Sequence, residues 1–457
     1  MKRFDWQWLA LSSVLLTALA AQPQTRPQYG GTLHAGTRAA LTSLDPADRT
    51  QADSAARRNI DFLIFDTLVA TDGSGRIGPA LSTSWRAAPG NQRWRFQLRQ
   101  GVKFHDGTPL TAEIAAASLR AANPSWNVVA DTDSVTIERD SPDPELPAEL
   151  ALAPNAIAKR SSEQRPSGTG PFHIVDWQPG KKLTLAAEED YWGGRAFLDS
   201  IEIEMGRGFR DQLTALELGR ADLVEVAPEQ GHRVSLEGRR LASSEPMELL
   251  ALVFAEDAKT PEEKALRDAL AFCVDRGSMR NVLLQGAGQS TAGLLPNWLS
   301  GYAFVFSTDA DLARARRERD QAGTIPAWTL GYDAADPLAR LLAERIALNA
   351  RDAGLSVQPT SATSTTLRLL RIPLASADPW ITLAGLSAIT GTPAVKNLGG
   401  SAEDLYTVEQ SVLATRRIIP LFHLPLNFAA SPALKDWRVR ADGGWKLADA
   451  WLGSRQP

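Results

Sequence analysis

The run Arg93 to Ala117, RWRFQLRQGVKFHDGTPLTAEIAAA, constrains the chain most, because its hydrophobic period changes twice and a turn marks each change. Trp94, Phe96 and Leu98 alternate with Arg93, Arg95, Gln97 and Arg99, which predicts a half-buried strand, aromatic face inward and basic face outward. Gly101 lets the chain reverse, Val102 and Phe104 resume the alternation, and Asp106-Gly107 suits a tight turn. Thr111 then stands where a helix needs its N-cap, with Glu113 against the positive end of the helix dipole. The expected order is strand, turn, strand, turn, helix. None of it requires catalysis.

A chain of 457 residues has room for two or three domains, and 44% hydrophobic with 22% charged residues excludes a mainly disordered one. A formal net charge of −4 argues against nucleic acid as a partner. Residues 1–21 carry Lys2 and Arg3, then an apolar stretch from Trp8 to Ala21 with Ala18-Leu19-Ala20 as an A-x-A cleavage site. They are expected to be a secretion signal placing the protein in a periplasm, and its removal leaves a charge of about −5; an uncleaved anchor is the alternative. Cys273 is the single cysteine. It excludes an intrachain disulfide, and no cysteine follows the apolar stretch to accept a lipid.

Further along, Tyr29-Gly30-Gly31-Thr32-Leu33 opens a short strand, and Ile60 to Ala70 has helical spacing through Ile60, Ile64 and Leu68 before the Asp72-Gly73-Ser74-Gly75 turn. In Ser167-Gly168-Thr169-Gly170-Pro171-Phe172 the glycines permit a tight backbone crossing that a side chain at either would obstruct. Two β-α-β units follow. One runs from Ile201 through a helix at Phe209–Leu218 to a strand at Leu223–Val226, and the other from Trp328 through an Asp336-Pro337 helix start to a strand at Leu355–Val357. Between them Thr260-Pro261-Glu262-Glu263 is a capping box with proline at the first helical position.

These phrases resemble, in content and in order, the family 5 extracytoplasmic solute-binding proteins, which deliver oligopeptides, dipeptides or nickel chelates to ABC importers. The similar segments are W-x-F-x-L-R-x-G-V-K-F-H-D-G-T-P-L-T-A-E from Trp94, FDTLV at Phe65, PALSTSW at Pro79, GTGPF at Gly168, YWGG at Tyr191, ALELGRAD at Ala215, LRDALAFCVDR at Leu266 and IPL at Ile419. The resemblance implies an α/β, two-lobed periplasmic binding protein with mixed sheets, a small extra subdomain in the first lobe and two hinge crossovers, near 240–250 and 415–425. Lobe I is expected at 29–245 plus 421–457 with its subdomain at about 77–165, and lobe II at 246–420. Two segments are shorter than the family pattern, at Arg120 to Pro166 and after Gly391.

No catalytic, metal or cofactor set stands out. His34, His105, His173, His232 and His423 are scattered without metal-ligand spacing, His105 beside Asp106 is accounted for by the turn, and the glycine clusters lack the lysine of a phosphate loop. Cys273 reads as a small buried hydrophobe.

The candidate binding segment is Arg371 to Leu386, RIPLASADPWITLAGL. Peptide-binding family members end a cleft-lining segment in W-x-x-D-x-x-D-P, and Asp378-Pro379 resembles that end. By resemblance Asp378 pairs with a ligand ammonium; physically, the neighbouring Trp380 can cover an apolar side chain or stack on a cation, and Arg371, at the start of the segment, is the third candidate. Equally, Asp378-Pro379 is a turn with Trp380 in the core. The expected protein is a monomer, without cofactor and not an enzyme. It captures a small solute, a peptide first, between its lobes and passes it to an ABC permease. The rival readings are a sensor or interaction module without transport, and a secreted hydrolase, which the missing triad or metal set disfavours.

Overall fold

The computed structural model describes residues 26–72, 75–160, 165–302, 306–395 and 399–453. The expected signal segment 1–21 and the Gly73-Ser74 part of the expected turn lie outside these residues.

Lobe I opens with β1 (Thr32–Gly36), α1 (Ala55–Ile64), β2 (Val69–Thr71) and β3 (Ile77–Pro79). Its subdomain holds β4 (Ser82–Ala87), β5 (Arg93–Leu98), α2 (Ala112–Ala122), β6 (Asn127–Ala130), β7 (Ser134–Glu138) and α3 (Leu146–Leu150). The lobe continues through β8 (Phe172–Gln178), β9 (Lys182–Ala187), β10 (Ser200–Glu204), α4 (Phe209–Glu217), β11 (Leu223–Val226) and α5 (Gly231–Leu236). The long β12 (Arg240–Phe254) crosses to lobe II, made of α6 (Pro261–Cys273), α7 (Arg276–Val282), β13 (Gln289–Ser290), α8 (Asn297–Ser300), α9 (Leu312–Arg319), β14 (Ala327–Gly331), α10 (Pro337–Asp352), β15 (Ser356–Thr360), β16 (Leu367–Pro373), α11 (Pro379–Thr390) and α12 (Ala402–Ala414). β17 (Ile418–Ala430) returns the chain to lobe I, where β18 (Leu434–Lys435) and β19 (Trp451–Leu452) end it.

Among the described residues a mixed sheet of 11 strands runs through both lobes in the order β15-β14-β16-β12-β17-β11-β1-β10-β9-β8, with β13 off that path on β17. β12 and β17 form its antiparallel spine. Their Arg240–Ser243 and Asn427–Ala430 ends sit in lobe I, their Glu248–Val253 and Ile418–Leu424 ends in lobe II, and the register shifts between Ser243 and Glu248. Pro246 faces Pro425 at that shift. Neither proline has an N–H for the ladder, so the sheet is thinnest in hydrogen bonds where the lobes meet.

The subdomain sheet runs β4-β5-β7-β6. Phe96 and Leu98 are buried with Val135, Ile137 and Leu119, and Trp94 packs on their edge. Thr111 caps α2 by accepting the Ile114 N–H at 3.4 Å. The second expected strand is reduced to one bridge between Lys103 and Pro109. The Phe104 N–H donates to the Thr108 carbonyl at 2.8 Å, so the turn turns the chain back before a ladder can form, while Val102 and Phe104 still bury their side chains.

The helix expected over Ile60 to Ala70 is displaced toward the N-terminus. Ser54 caps α1 through the Arg57 N–H at 3.1 Å, Phe65 is extended at φ −126°, and the chain is a strand by Val69. The FDTLV stretch is pulled straight by what it meets. Asp66 accepts from Thr169 Oγ1 at 3.0 Å, Tyr191 OH at 3.2 Å and Trp192 Nε1 at 2.8 Å, which ties it to the GTGPF and YWGG turns. The Gly170 N–H takes the Ile64 carbonyl at 2.9 Å, closing the helix end. A Cβ on Gly168 would stand 1.9 Å from Ile64 O, and one on Gly170 2.6 Å from Ile64 C.

Gly168→Ala is therefore expected to cost about 3 kcal/mol or more, since the obstacle is backbone rather than a movable side chain. Gly107, at φ +80° with open space around it, serves as the control. Gly107→Ala is expected to cost about 1 kcal/mol, from strain alone. Urea unfolding of the two variants checks the contrast.

Candidate functional site

α1 inverts the usual partition of a surface helix. Its polar Arg57, Asn59 and Asp61 are buried, because Arg57 donates to the Pro46, Asp48 and Gln51 carbonyls and pairs with Asp61 at 3.7 Å, and Asn59 bonds the backbone of Gly443 and Trp445. The side chains left facing outward are Arg58 and Phe62, one turn apart. They line a cavity of about 390 Å³ between the lobes. Tyr191, Trp192 and the Arg440–Ala448 loop supply its other lobe I walls, and Met247 and Ala375–Ala377 face them from lobe II. A second cavity of about 340 Å³ adjoins it across Ala55 and is lined by Arg38, Phe209, Glu225, Glu248, Arg371 and the hinge residues Pro425–Phe428.

Charged groups close the cleft from both sides. Arg38, just after β1, reaches lobe II at Asp333 (2.7 Å) and Asp336 (3.9 Å). Asp336 in turn caps α10 through the Leu338 N–H at 3.0 Å and holds Arg371 at 3.3 Å, while Glu248 holds Arg371 at 2.8 Å. Burial works against the charge on Arg371, but Glu248 and Asp336 outweigh it and its pKa rises. In the first cavity Arg58 is fixed by Asp53 at 2.9 Å and donates across the cleft to the Leu374 carbonyl at 2.5 Å. Asp66, on the same wall, is pushed up to about 6 by burial, although Trp192, Thr169 and Tyr191 donate to it.

The residues expected from sequence are dispersed. Arg371 lines the second cavity, within its two carboxylates. Asp378 is the N-cap of α11, with Oδ1 accepting the Ile381 N–H at 2.9 Å. It adjoins the Ala375–Ala377 wall of the first cavity, and its carboxyl meets that of Glu145 from the lobe I subdomain. Burial raises the pKa of both. Trp380 is 6% exposed and packs with Leu374, Leu383 and Leu386 in the lobe II core, so its ring covers that core rather than the cleft. Arg58 and Phe62 were legible only as an outward pair at i, i+4 on a helix whose start was misplaced. His105 Nε2 donates to the Gly170 carbonyl (2.9 Å), and burial pushes the Cys273 thiol up to about 12. Among the described residues no group of three or more His, Cys, Asp or Glu side chains could hold a metal, and no helix is long and apolar enough to cross a membrane.

The profile of the bacterial extracellular solute-binding proteins, family 5 (middle), matches residues 76–394. The chain belongs to that family. Protein XP55 of Streptomyces lividans is 27% identical over 341 residues, 66% of this chain and 62% of that protein. The probable D,D-dipeptide-binding periplasmic protein DdpA of Escherichia coli is 24% identical over 358 residues, 72% and 69%. The nickel-binding protein NikA of Staphylococcus aureus is 28% identical over 236 residues, 48% and 48%. The matches thus span between about half and two thirds of these relatives' lengths. The fold is that of two-lobed binding proteins. DppA of Helicobacter pylori in complex with peptide STSA superposes with TM-score 0.80 at 19% identity, covering 94% of this chain and 99% of that one. Staphylococcus aureus NikA with Ni(L-His)2 gives 0.78 at 17%, covering 92% and 100%. DdpA, NikA and DppA are binding proteins.

Two outcomes follow from the cleft's electrostatics. Because the folded-state pKa of Asp66 lies above its ordinary value of 3.8, the folded protein holds more protons than the unfolded chain between about pH 4 and 6. Its stability therefore falls as pH rises through that window. In Asp66→Asn this part of the slope should vanish, as unfolding at pH 4.5, 5.5 and 7.5 will show. Arg38 and Asp333 are a partly exposed pair of the kind worth about 0.5 to 1 kcal/mol. Arg38→Ala should shift the lobes toward opening by that much, seen as a larger radius of gyration in solution scattering. High salt should move the wild type the same way and the variant less.

Proposed function

We propose that the protein is an extracytoplasmic solute-binding protein that captures a small solute, a peptide first, between its lobes and delivers it to an ABC transporter permease. The observation that carries this reading is the cleft: lobe I (Arg38, Arg58, Phe62) and lobe II (Asp333, Leu374, Ala375–Ala377) face each other across cavities of about 390 and 340 Å³ at a hinge thin in hydrogen bonds. A solute touching both lobes is fully bound only when they are closed. It therefore shifts the hinge population by its differential affinity. Peptide and nickel ligands named for relatives and neighbours set the order of candidates.

Within this reading Asp378 is the carboxylate for a cationic group of the solute, with Glu145 beside it across the cleft, and Arg371 orders the second cavity through Glu248 and Asp336.

The test is a thermal-shift series with di- and tripeptides, nickel chelates and sugars. A true ligand at 100 times its Kd should add about 2.7 kcal/mol of stability. A peptide series that leaves the melting point unmoved removes the peptide from the reading. For Asp378→Ala, peptides with a free N-terminus should bind more weakly while their acetylated forms bind as before. Equal loss for both would remove the ammonium role.

A further inference from the structure

Of the ten residues of α1, the exposed one is an aromatic: Phe62 is 41% exposed, while Ile60, Leu63 and Ile64 are buried in lobe I and the polar Arg57, Asn59 and Asp61 are buried beside them. A phenyl ring left open in a concave wall is the exception among aromatics, which ordinarily bury most of their area. Its position is fixed. Ser54 caps the helix, the Gly170 N–H closes its other end on the Ile64 carbonyl, and Arg58 one turn back is anchored on Asp53 and on Leu374 of lobe II. Of the other aromatic groups lining the cavity, Phe65 and Trp445 are buried in lobe I, and Tyr191 and Trp192 commit their polar ends to Asp66, with Arg99 4.6 Å over the Trp192 ring. Across the cavity lobe II presents only small side chains, Ala375, Ser376 and Ala377, with Met247 beside them. The wall facing Phe62 thus leaves room for a side chain that the protein itself does not supply.

We propose that Phe62 is the apolar anchor of the first cavity, receiving an apolar side chain of the solute between its ring and the Ala375–Ala377 wall and so selecting solutes that carry one. This rests on the solute-capture reading and gives it a ligand class. The cations lining the cavity are already neutralised: Arg58 by Asp53, Arg440 by Asp442 at 2.8 Å and Lys446 by Asp449 at 2.7 Å. Discrimination there falls to shape and apolar contact more than to net charge. Because the ring belongs to lobe I and the facing wall to lobe II, the side chain is fully covered only with the lobes closed, which couples this contact to closure.

The experiment compares wild type, Phe62→Ala and Phe62→Leu by calorimetry with the dipeptides Gly-Gly, Gly-Leu and Leu-Gly. Wild type should prefer a leucine-bearing peptide by about tenfold or more over Gly-Gly, the usual discrimination of an apolar pocket. Phe62→Ala should lose that preference with little change for Gly-Gly, and Phe62→Leu should restore most of it. The same preference in wild type and Phe62→Ala overturns the proposal. If wild type binds none of the three, the peptide reading fails, and the anchor is judged separately with toluene by saturation-transfer NMR. Transfer present in wild type and lost in Phe62→Ala supports it. Transfer absent from wild type, or equal in the two, overturns it.

Discussion

The backbone crossing of the Gly168-Thr169-Gly170 segment over the end of α1 is the contact on which the rest of lobe I depends. A carbonyl at the last turn of a helix has no partner within the helix, and here Ile64 O receives the Gly170 N–H at 2.9 Å because nothing but hydrogen projects from either glycine. The approach sets three things at once. It ends α1, it straightens the FDTLV stretch into the strands below the cavity, and it brings Thr169 to Asp66. The His105 N–H donates to Gly168 O at 2.9 Å from the turn that precedes α2, so the subdomain is seated on the same crossing. Asp66 thereby joins two turns more than a hundred residues further along the chain, at Thr169 and Tyr191, into one hydrogen-bonded unit.

The hinge is built on the opposite principle. Where GTGPF gathers backbone hydrogen bonds, the spine of the large sheet gives them up, with prolines opposite each other at Pro246 and Pro425 and the register slipping on either side. Bending concentrates where the ladder is interrupted, and the well-paired ends of β12 and β17 belong each to one lobe. Cross-lobe contacts of the reversible kind include a partly exposed ion pair at Arg38 and a guanidinium-to-carbonyl bond at Arg58. Large apolar cores lie within the lobes.

The candidate site was legible in part. Arg371 was expected at the site because of its segment, and it does line an inter-lobe cavity. Asp378 sits beside one, with an oxygen spent on a helix cap. Trp380, next but one in sequence, turns the other way into the lobe II core, because the α11 that Asp378 starts is apolar nearly all round and buries it. The two outward side chains of α1 are not marked in the sequence for a physical reason: periodicity tells that a helix is present, but its frame depends on Ser54, a polar cap ten residues before the observed end of α1 at Ile64, and on a glycine contact from residue 170.

What the sequence by itself determined is local or repetitive: the β5 alternation, the Thr111 and Asp336 caps, the two β-α-β units and the glycines that a crossing demands, each set by backbone sterics or by hydrogen bonds between near neighbours. The content and order of its motifs carried the resemblance to the family, and that resemblance implied the two-lobed α/β architecture. The tertiary structure alone decided where α1 stops, which strand of the opening segment survives as a single bridge, and which side chains line the cleft's cavities. Those outcomes turn on contacts between residues distant in the chain, such as Arg38 with Asp333 and Arg58 with Leu374. No spacing along the chain encodes them, because each is set by how the two lobes rest against one another.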